Sequence, residues 1–185
     1  GSGADWFPAF ASQQPMGVSG TVVNGGPLLP GQSASAVFNI DSALNRYFTF
    51  ASMVVPSNDH FIGNDSGTAY ELFDAQGQFV GGTILQRASD IWDAGSEVNS
   101  IPNAAFIVGS NNDARIADTG VVDFDFAGLS LFDGQMTAAG YMFQSQLTSD
   151  TGVYEITFEV IPAPAATPVL AIAGLMMARR RRSGV

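Results

Sequence analysis

The sequence contains no cysteine, no lysine and a single histidine, His60. The absence of cysteine excludes disulfide bonds and thiolate metal ligands, and it fits an exported protein as well as many cytosolic ones. One histidine without any cysteine disfavours the imidazole and thiolate sites that transition metals prefer. A Ser-His-Asp hydrolase would have to use His60, yet the Gly-x-Ser-x-Gly motif around a nucleophilic serine is also missing.

Basic residues are scarce outside one block near the end of the chain. Four of the seven arginines are Arg179, Arg180, Arg181 and Arg182. Three basic residues therefore remain to offset 17 acidic ones in the rest of the chain, which leaves a net charge of −14. A surface of that charge repels nucleic acid and anionic lipid and attracts divalent cations. Solubility alone is the alternative explanation of the acidic surface.

Helical periodicity over ten or more residues is missing before the C-terminal segment. Short β-prone runs alternate instead with Gly, Asn, Asp and Pro, and the last of them places Tyr154 on one face and Glu155 on the other. A turn sequence lies between Phe73 and Phe79, as expected of a hairpin. The pattern predicts an all-β domain over residues 1–160, an antiparallel β-sandwich of about eight strands. The predicted strands are residues 18–23, 34–40, 47–55, 70–73, 104–108, 121–126, 130–132 and 154–161.

Residues 161–185 form a second unit with the order of features found in sorting signals. A Pro-Ala-Pro break at Pro162 and Pro164 is followed by an apolar stretch and then by the arginine block. The apolar stretch, residues 163–178, has 16 residues, just below the roughly 17–25 that a helix needs to cross a bilayer. The arginines would stay on the cytoplasmic side, and the domain would lie across the membrane. A terminal helix packed against the domain is the alternative.

This C-terminal segment resembles the PEP-CTERM sorting signal of Gram-negative bacteria, which has a Pro-Glu-Pro-like motif, a short transmembrane helix and an arginine-rich end. Ala163 stands here in place of the central acid. The resemblance implies recognition by an exosortase-type processing enzyme. It also implies transient anchoring in the inner membrane and delivery to the cell surface or the extracellular space.

Two segments of the domain are rich in oxygen donors. In the first, a proline ends an apolar run and Ser-Asn-Asp follows, with Asp59 last. In the second, Asp93 and Glu97 flank Gly95, so both carboxylates can turn toward one point. Hard cations such as Ca²⁺ bind about six to eight oxygens, which two acidic loops at one end of a sandwich could supply. Turn formation is the alternative, because Asp and Asn are common in turns.

The sequences around these two segments carry a family resemblance. Residues 48–59 read Phe-Thr-Phe-Ala-Ser-Met-Val-Val-Pro-Ser-Asn-Asp, and residues 92–97 read Trp-Asp-Ala-Gly-Ser-Glu. With these two motifs in this order, residues 20–160 resemble the spondin domain. The resemblance implies a β-sandwich similar to calcium-dependent phospholipid-binding domains, with a metal site at one end.

The same resemblance implies that Asp59, Asp93 and Glu97 are the metal ligands. The expected ion is Ca²⁺ or another hard divalent cation. The animal domains usually have Asp at the position of Glu97, and they carry cysteines and adjoining adhesion modules that this sequence lacks. The partners of those animal proteins are therefore not expected for this chain.

Three other polar residues have structural explanations. His60 is expected to be a loop residue that packs on Phe61, with ligation or orientation beside Asp59 as the alternative. Asp123 and Asp125 alternate with apolar residues and are expected on the solvent face of a strand rather than as a catalytic carboxylate pair.

The sequence thus favours an exported, non-catalytic, calcium-binding domain that serves as a cell-surface or extracellular-matrix component. Its expected partner is an extracellular polysaccharide or a surface protein, and it would meet a membrane only through its C-terminal segment. The alternative is a metal-assisted hydrolase acting on extracellular polymer, for which the sequence offers no general base beyond His60. A purely structural domain without a bound metal is the third hypothesis.

Overall fold

A computed structural model of the chain describes residue 12, residues 17–20 and residues 26–161. These residues form short antiparallel strands joined by turns and 3-10 helices, so the prediction of an all-β domain is confirmed. The predicted C-terminal apolar helix and the sorting motif, residues 162–182, lie outside the described residues. Among the residues described, no helix is long and apolar enough to cross a membrane.

The described residues contain eight strands, which pair into three antiparallel sheets. The strands are β1 (Tyr47–Phe48), β2 (Ala51–Met53), β3 (His60–Gly63), β4 (Tyr70–Glu71), β5 (Thr83–Arg87), β6 (Trp92–Asp93), β7 (Asp123–Phe124) and β8 (Gly152–Thr157). The 3-10 helices are Ala88–Asp90, Ile101–Asn103, Asn112–Ala114 and Ala127–Phe132. One sheet has the strand order β2-β3-β6-β7, and the other two pair β1 with β4 and β5 with β8.

The four-stranded sheet has two chemically different faces. In the registered pairs, Phe61 lies opposite Trp92 and Trp92 opposite Phe124. Their rings form a continuous stack, with centroids 6.3 Å apart for the first pair and 3.7 Å for the second. Directly opposed residues of an antiparallel pair share a face, and the next residue along each strand faces the other side. Polar residues therefore share the second face, where His60 is opposite Asp93 and Asp93 is opposite Asp123.

The pair β5–β8 is the longest ladder, and the alternation of half-buried and exposed residues along β8 explains why it forms. Tyr154, Ile156 and Phe158 are half-buried, whereas Glu155 and Thr157 are exposed. The predicted strand at residues 154–161 thus begins earlier and ends earlier than expected, at Gly152–Thr157. The predicted turn between Phe73 and Phe79 also forms, because these two residues make an antiparallel bridge.

Two of the predicted strands do not form. The alternating run at residues 34–40 forms no strand among the described residues, and its apolar side chains are exposed. Alternation favours a strand only where a neighbour covers its apolar face, and no described strand pairs with this run. Residues 130–132 lie in the 3-10 helix Ala127–Phe132, which buries Leu129 and Phe132 three residues apart on one side.

Other predicted strands are shortened or divided. Residues 47–55 divide into β1 and β2, residues 121–126 shorten to β7, and residues 104–108 make only isolated bridges. Strand β3 forms where the sequence predicted a loop, and β5 and β6 form where it predicted no strand. The prediction for residues 18–23 falls partly outside the described residues.

An apolar cluster and a polar segment are buried side by side. The apolar cluster consists of Ile62, Ala88, Ile91, Ala104, Ile107, Leu129 and Phe132. The polar segment is Ser57, Asn58, Asp59 and His60, and all four residues are buried. Burial of consecutive polar residues is unfavourable unless each finds a partner. The contacts of this segment therefore show which of its buried polar atoms are satisfied and which are not.

Candidate metal centre

One oxygen of Asp59 joins the two loops that the sequence singled out. Its Oδ2 accepts hydrogen bonds from Ser96 N at 2.7 Å, Ser96 Oγ at 2.8 Å and Glu97 N at 2.9 Å. The Asp59 side chain is buried, which strengthens hydrogen bonds to a charged acceptor. The loop that follows Pro56 is thereby fixed to the loop that follows Asp93.

The other oxygen of Asp59 is in a different situation. Asp59 Oδ1 is buried and has no hydrogen-bond partner in the described part of the chain. Asn58 Nδ2 and both ring nitrogens of His60, in the two residues that flank Asp59, are orphaned in the same way, as is Asn99 Oδ1 in the segment after Asp93. An ionised oxygen that is buried without a donor is costly, and a cation is the partner that would satisfy it.

Asp93 is held at the end of β6 by two hydrogen bonds. Its Oδ1 accepts from Gly95 N at 2.7 Å, and its Oδ2 accepts from Asn99 Nδ2 at 2.7 Å. Gly95 has a φ of +61°, and a Cβ built on it would lie 2.6 Å from the carbonyl oxygen of Val121. Only glycine meets both conditions, so the turn after Asp93 depends on this residue.

His60 is a strand residue with a fully buried ring, and the expectation of a loop histidine packed on Phe61 is wrong. Phe61 faces the opposite side of the sheet, where it stacks on Trp92. His60 Nε2 lies 3.9 Å from Asp93 Oδ2 and 3.7 Å from Asp125 Oδ2. Neighbouring residues of a strand face opposite sides of the sheet. Because His60 is paired with Asp93 and Phe61 with Trp92, His60 faces the polar side and Phe61 the aromatic side.

A compact group of potential ligands results. Ligand atoms of Asp59, His60 and Asp93 all lie within 4.8 Å of one another. Of the three ligands implied by the spondin resemblance, the structure therefore brings Asp59 and Asp93 together and adds His60. Glu97 is buried nearby but is not a member of this group, and its Oε1 lies 3.4 Å from Arg115 Nε.

Asp93, one member of this group, lines an acidic cleft of about 510 Å³. Five carboxylate side chains line the cleft, those of Asp93, Glu97, Asp118, Asp123 and Asp125. A concave surface lined by charges of one sign concentrates counter-ions, so the cleft attracts cations.

Sequence reasoning missed Asp125, which it placed on the solvent face of a strand. Both Asp123 and Asp125 line the cleft, but Asp123 is exposed as expected, whereas Asp125 is half-buried and its Oδ1 accepts a hydrogen bond from Gly128 N at 2.8 Å. The two-residue spacing of Asp123 and Asp125 was the available signal, because it places both on one face. Which face that is depends on the pairing of β7 with β6.

No family model, curated protein or solved structure matches this chain. The donor atoms of the cleft nevertheless limit what it can hold. Carboxylate oxygens suit hard cations such as Ca²⁺, and an imidazole nitrogen suits transition-metal ions. The orphaned Oδ1 of Asp59 and the nearby carboxylate of Asp93 are oxygen donors of the kind that a hard cation takes.

Proposed function

We propose that this protein is an exported, non-catalytic domain that binds Ca²⁺ or another hard divalent cation at the acidic cleft. It would serve as a cell-surface or extracellular-matrix component. The observation that supports the proposal is the divided role of Asp59: one oxygen accepts three hydrogen bonds, and the other is buried without a partner beside Asp93. Asp59 and Asp93 are the principal ligands in this proposal, and Glu97 is a further ligand if its side chain turns away from Arg115.

The cation would act by joining two loops. Without it, the carboxylates of Asp59 and Asp93 repel one another across a few ångströms of buried space. A bound cation removes this repulsion and favours the folded state by mass action, by about 2.7 kcal/mol when the free ion is at 100 times its Kd. The stabilised cleft can then present a surface to an extracellular polysaccharide or a surface protein.

The family and the sheet arrangement belong to the same proposal. The two motifs at residues 48–59 and 92–97 support membership of the spondin domain family. Antiparallel pairing in all three sheets is compatible with a sandwich similar to calcium-dependent phospholipid-binding domains. Within such a sandwich, the two loops at the cleft would lie at one end.

The proposed location depends on the C-terminal segment. Pro162, Pro164 and the arginine block at residues 179–182 support processing by an exosortase-type enzyme in a Gram-negative bacterium. The domain would be anchored to the inner membrane transiently, through this segment alone. Its acidic surface makes nucleic acid an unsuitable partner.

Thermal unfolding of the 185-residue chain, purified without a histidine tag, tests the cation. Ca²⁺ at millimolar concentration should raise the Tm relative to chelator for the wild type and for Asp150→Asn, which removes an exposed carboxylate away from the cleft. The rise of the Tm should be lost in Asp93→Asn, because a neutral amide replaces the carboxylate of one of the two principal ligands. No rise in the wild type would overturn the proposal and favour a structural domain without metal.

A metal-assisted hydrolase of extracellular polymer is the second candidate. The observation in its favour is the imidazole of His60 beside the carboxylates of Asp93 and Asp125 at the cleft. If polymer is hydrolysed and His60→Ala abolishes this activity with Ca²⁺ binding intact, the hydrolase is favoured. Unchanged activity, or none in the wild type, favours the binding domain.

A further inference from the structure

His60 has the environment of a metal ligand. The ring is fully buried, and neither nitrogen has a hydrogen-bond partner in the described residues. Its Nε2 is directed at two carboxylates that line the cleft, Asp93 and Asp125, whose side chains are 17% and 38% exposed. A buried imidazole normally donates or accepts at least one hydrogen bond, so a partner other than the described protein atoms is expected for this ring.

The distances around Nε2 fit ligands that share an ion better than they fit hydrogen bonds. Separations of 3.7 Å and 3.9 Å are too long for a hydrogen bond from a ring nitrogen. In a tetrahedral site with bonds of about 2.1 Å, two ligand atoms lie about 3.4 Å apart. Each carboxylate oxygen therefore lies about 0.3–0.5 Å beyond the separation that it and the ring nitrogen would have as ligands of a shared ion.

Hydrogen bonds hold both carboxylates in place, and the backbone of Gly128 lies close beside them. Gly128 N binds Oδ1 of Asp125, which leaves Oδ2 on the side of His60, and Asn99 Nδ2 binds the Asp93 oxygen that lies nearest the ring. A Cβ built on Gly128 would overlap Asp125 Oδ2 and would lie 3.1 Å from His60 Nε2. Any larger residue would crowd the space between ligand atoms, as expected where the backbone borders a binding site.

We propose that His60 Nε2, Asp93 Oδ2 and Asp125 Oδ2 form a second cation site, which takes a transition-metal dication such as Mn²⁺ or Zn²⁺. The site goes beyond the proposed function because its donor set contains nitrogen. It shares only Asp93 with the oxygen ligands assigned to the hard cation. Three protein ligands leave coordination positions open toward the cleft, as in metal sites that bind water or an anionic group of a ligand.

The donor chemistry sets the preference of this site. Neutral imidazole is a good ligand for first-row transition-metal ions, whereas Ca²⁺ prefers oxygen. Manganese is the most useful probe because it accepts both carboxylate and imidazole and is paramagnetic. With one histidine in the whole chain, imidazole coupling to bound Mn²⁺ can come only from His60.

Pulsed EPR of Mn²⁺ bound to the untagged 185-residue chain, in excess Ca²⁺ to fill the oxygen site, tests the proposal. The wild type should show nitrogen hyperfine coupling, and His60→Gln should lose it. Asp125→Asn should weaken Mn²⁺ binding at least about tenfold, the scale seen when even supporting residues of metal sites are changed. Asp150→Asn, which removes an exposed carboxylate away from the cleft, is the control and should leave both the coupling and the affinity unchanged.

The outcomes separate this site from the calcium site. Mn²⁺ bound without nitrogen coupling, or coupling that persists in His60→Gln, would overturn the mixed site, as would Asp125→Asn with unchanged affinity. Because Asp125 is partly exposed, Asp125→Asn keeps the test valid if His60→Gln fails to fold. Nitrogen coupling without any effect of Ca²⁺ on the Tm would support this site and overturn the proposed function. A rise of the Tm in Ca²⁺ without nitrogen coupling would support the proposed function and overturn this site.

Discussion

The strand pairs β5–β8 and β3–β6 are stabilised by different kinds of contact. The first has five registered residue pairs and an apolar face, and its side-chain contacts include a hydroxyl pair between Thr83 and Thr157 at 3.2 Å. The second has two registered pairs, and one of them places His60 opposite Asp93. A long ladder is stabilised by its own backbone bonds and burial. Where the ladder is short, the buried carboxylate of Asp59 joins the loops by accepting hydrogen bonds from backbone and hydroxyl groups.

The largest effect that separates the two regions is expected for Asp59→Ala. The change leaves two backbone N–H groups and one hydroxyl of the opposite loop without their charged acceptor. We expect the free energy of unfolding, measured by urea denaturation in chelator, to fall by about 3 kcal/mol.

Glu155→Ala on the exposed face of β8 is the matched control, and it should change the same free energy by no more than about 0.5 kcal/mol. Equal effects of the two substitutions would remove the distinction between the regions. A more stable Asp59→Ala protein would mean that repulsion among the carboxylates outweighs the hydrogen bonds.

A smaller effect is expected for Gly95→Ala, which tests the turn after Asp93. The new methyl group meets the Val121 carbonyl, and the positive φ disfavours alanine. Urea denaturation should show a loss of about 2 kcal/mol. Gly82→Ala, next to β5, has open space and no positive φ, so it should be neutral or stabilising by up to about 1 kcal/mol. Similar losses at both glycines would contradict the special role of Gly95.

The smallest effect concerns alkaline pH on the β5 side. Burial raises the pKa of the Tyr70 phenol, whose oxygen accepts a hydrogen bond from Gln86 Nε2 at 2.8 Å. A pKa that is higher in the folded state favours the protonated phenol there. The contribution of the Tyr70 phenol to the unfolding free energy is fully present below the ordinary tyrosine pKa of about 10. This contribution is lost as the pH rises through the higher pKa of the folded state. The unfolding free energy should therefore decline in this range, and Tyr70→Phe should reduce the slope. An identical slope in both proteins would show that Tyr70 does not titrate with folding.

Local patterns in the sequence predicted the parts of the fold that depend on local information. Alternation around Tyr154 predicted the last strand because one covered face is enough to produce it, and turn residues predicted the bridge between Phe73 and Phe79. The run at residues 34–40 has similar alternation without a described partner strand, and alternation cannot show whether a partner exists.

The candidate site was only partly predictable for a related reason. Asp59 and Asp93 were identified from loop chemistry and a family motif, and their ligand atoms lie within 4.8 Å of each other. The roles of His60 and Asp125 depend on which residues pair across β3, β6 and β7. Register between strands that are distant in sequence is set by packing of the whole domain, so no local pattern encodes it.

The two-faced central sheet links folding accuracy to recognition. Aromatic and ligand residues alternate along β3 and β6, as Phe61 follows His60 and Asp93 follows Trp92. A slip of one residue between these strands would place Trp92 opposite His60, so that the indole ring would lie on the face that carries the proposed ligands. Only one of the two alignments brings His60 opposite Asp93, so an ion that binds at the proposed site would favour the correctly paired chain over its misaligned form.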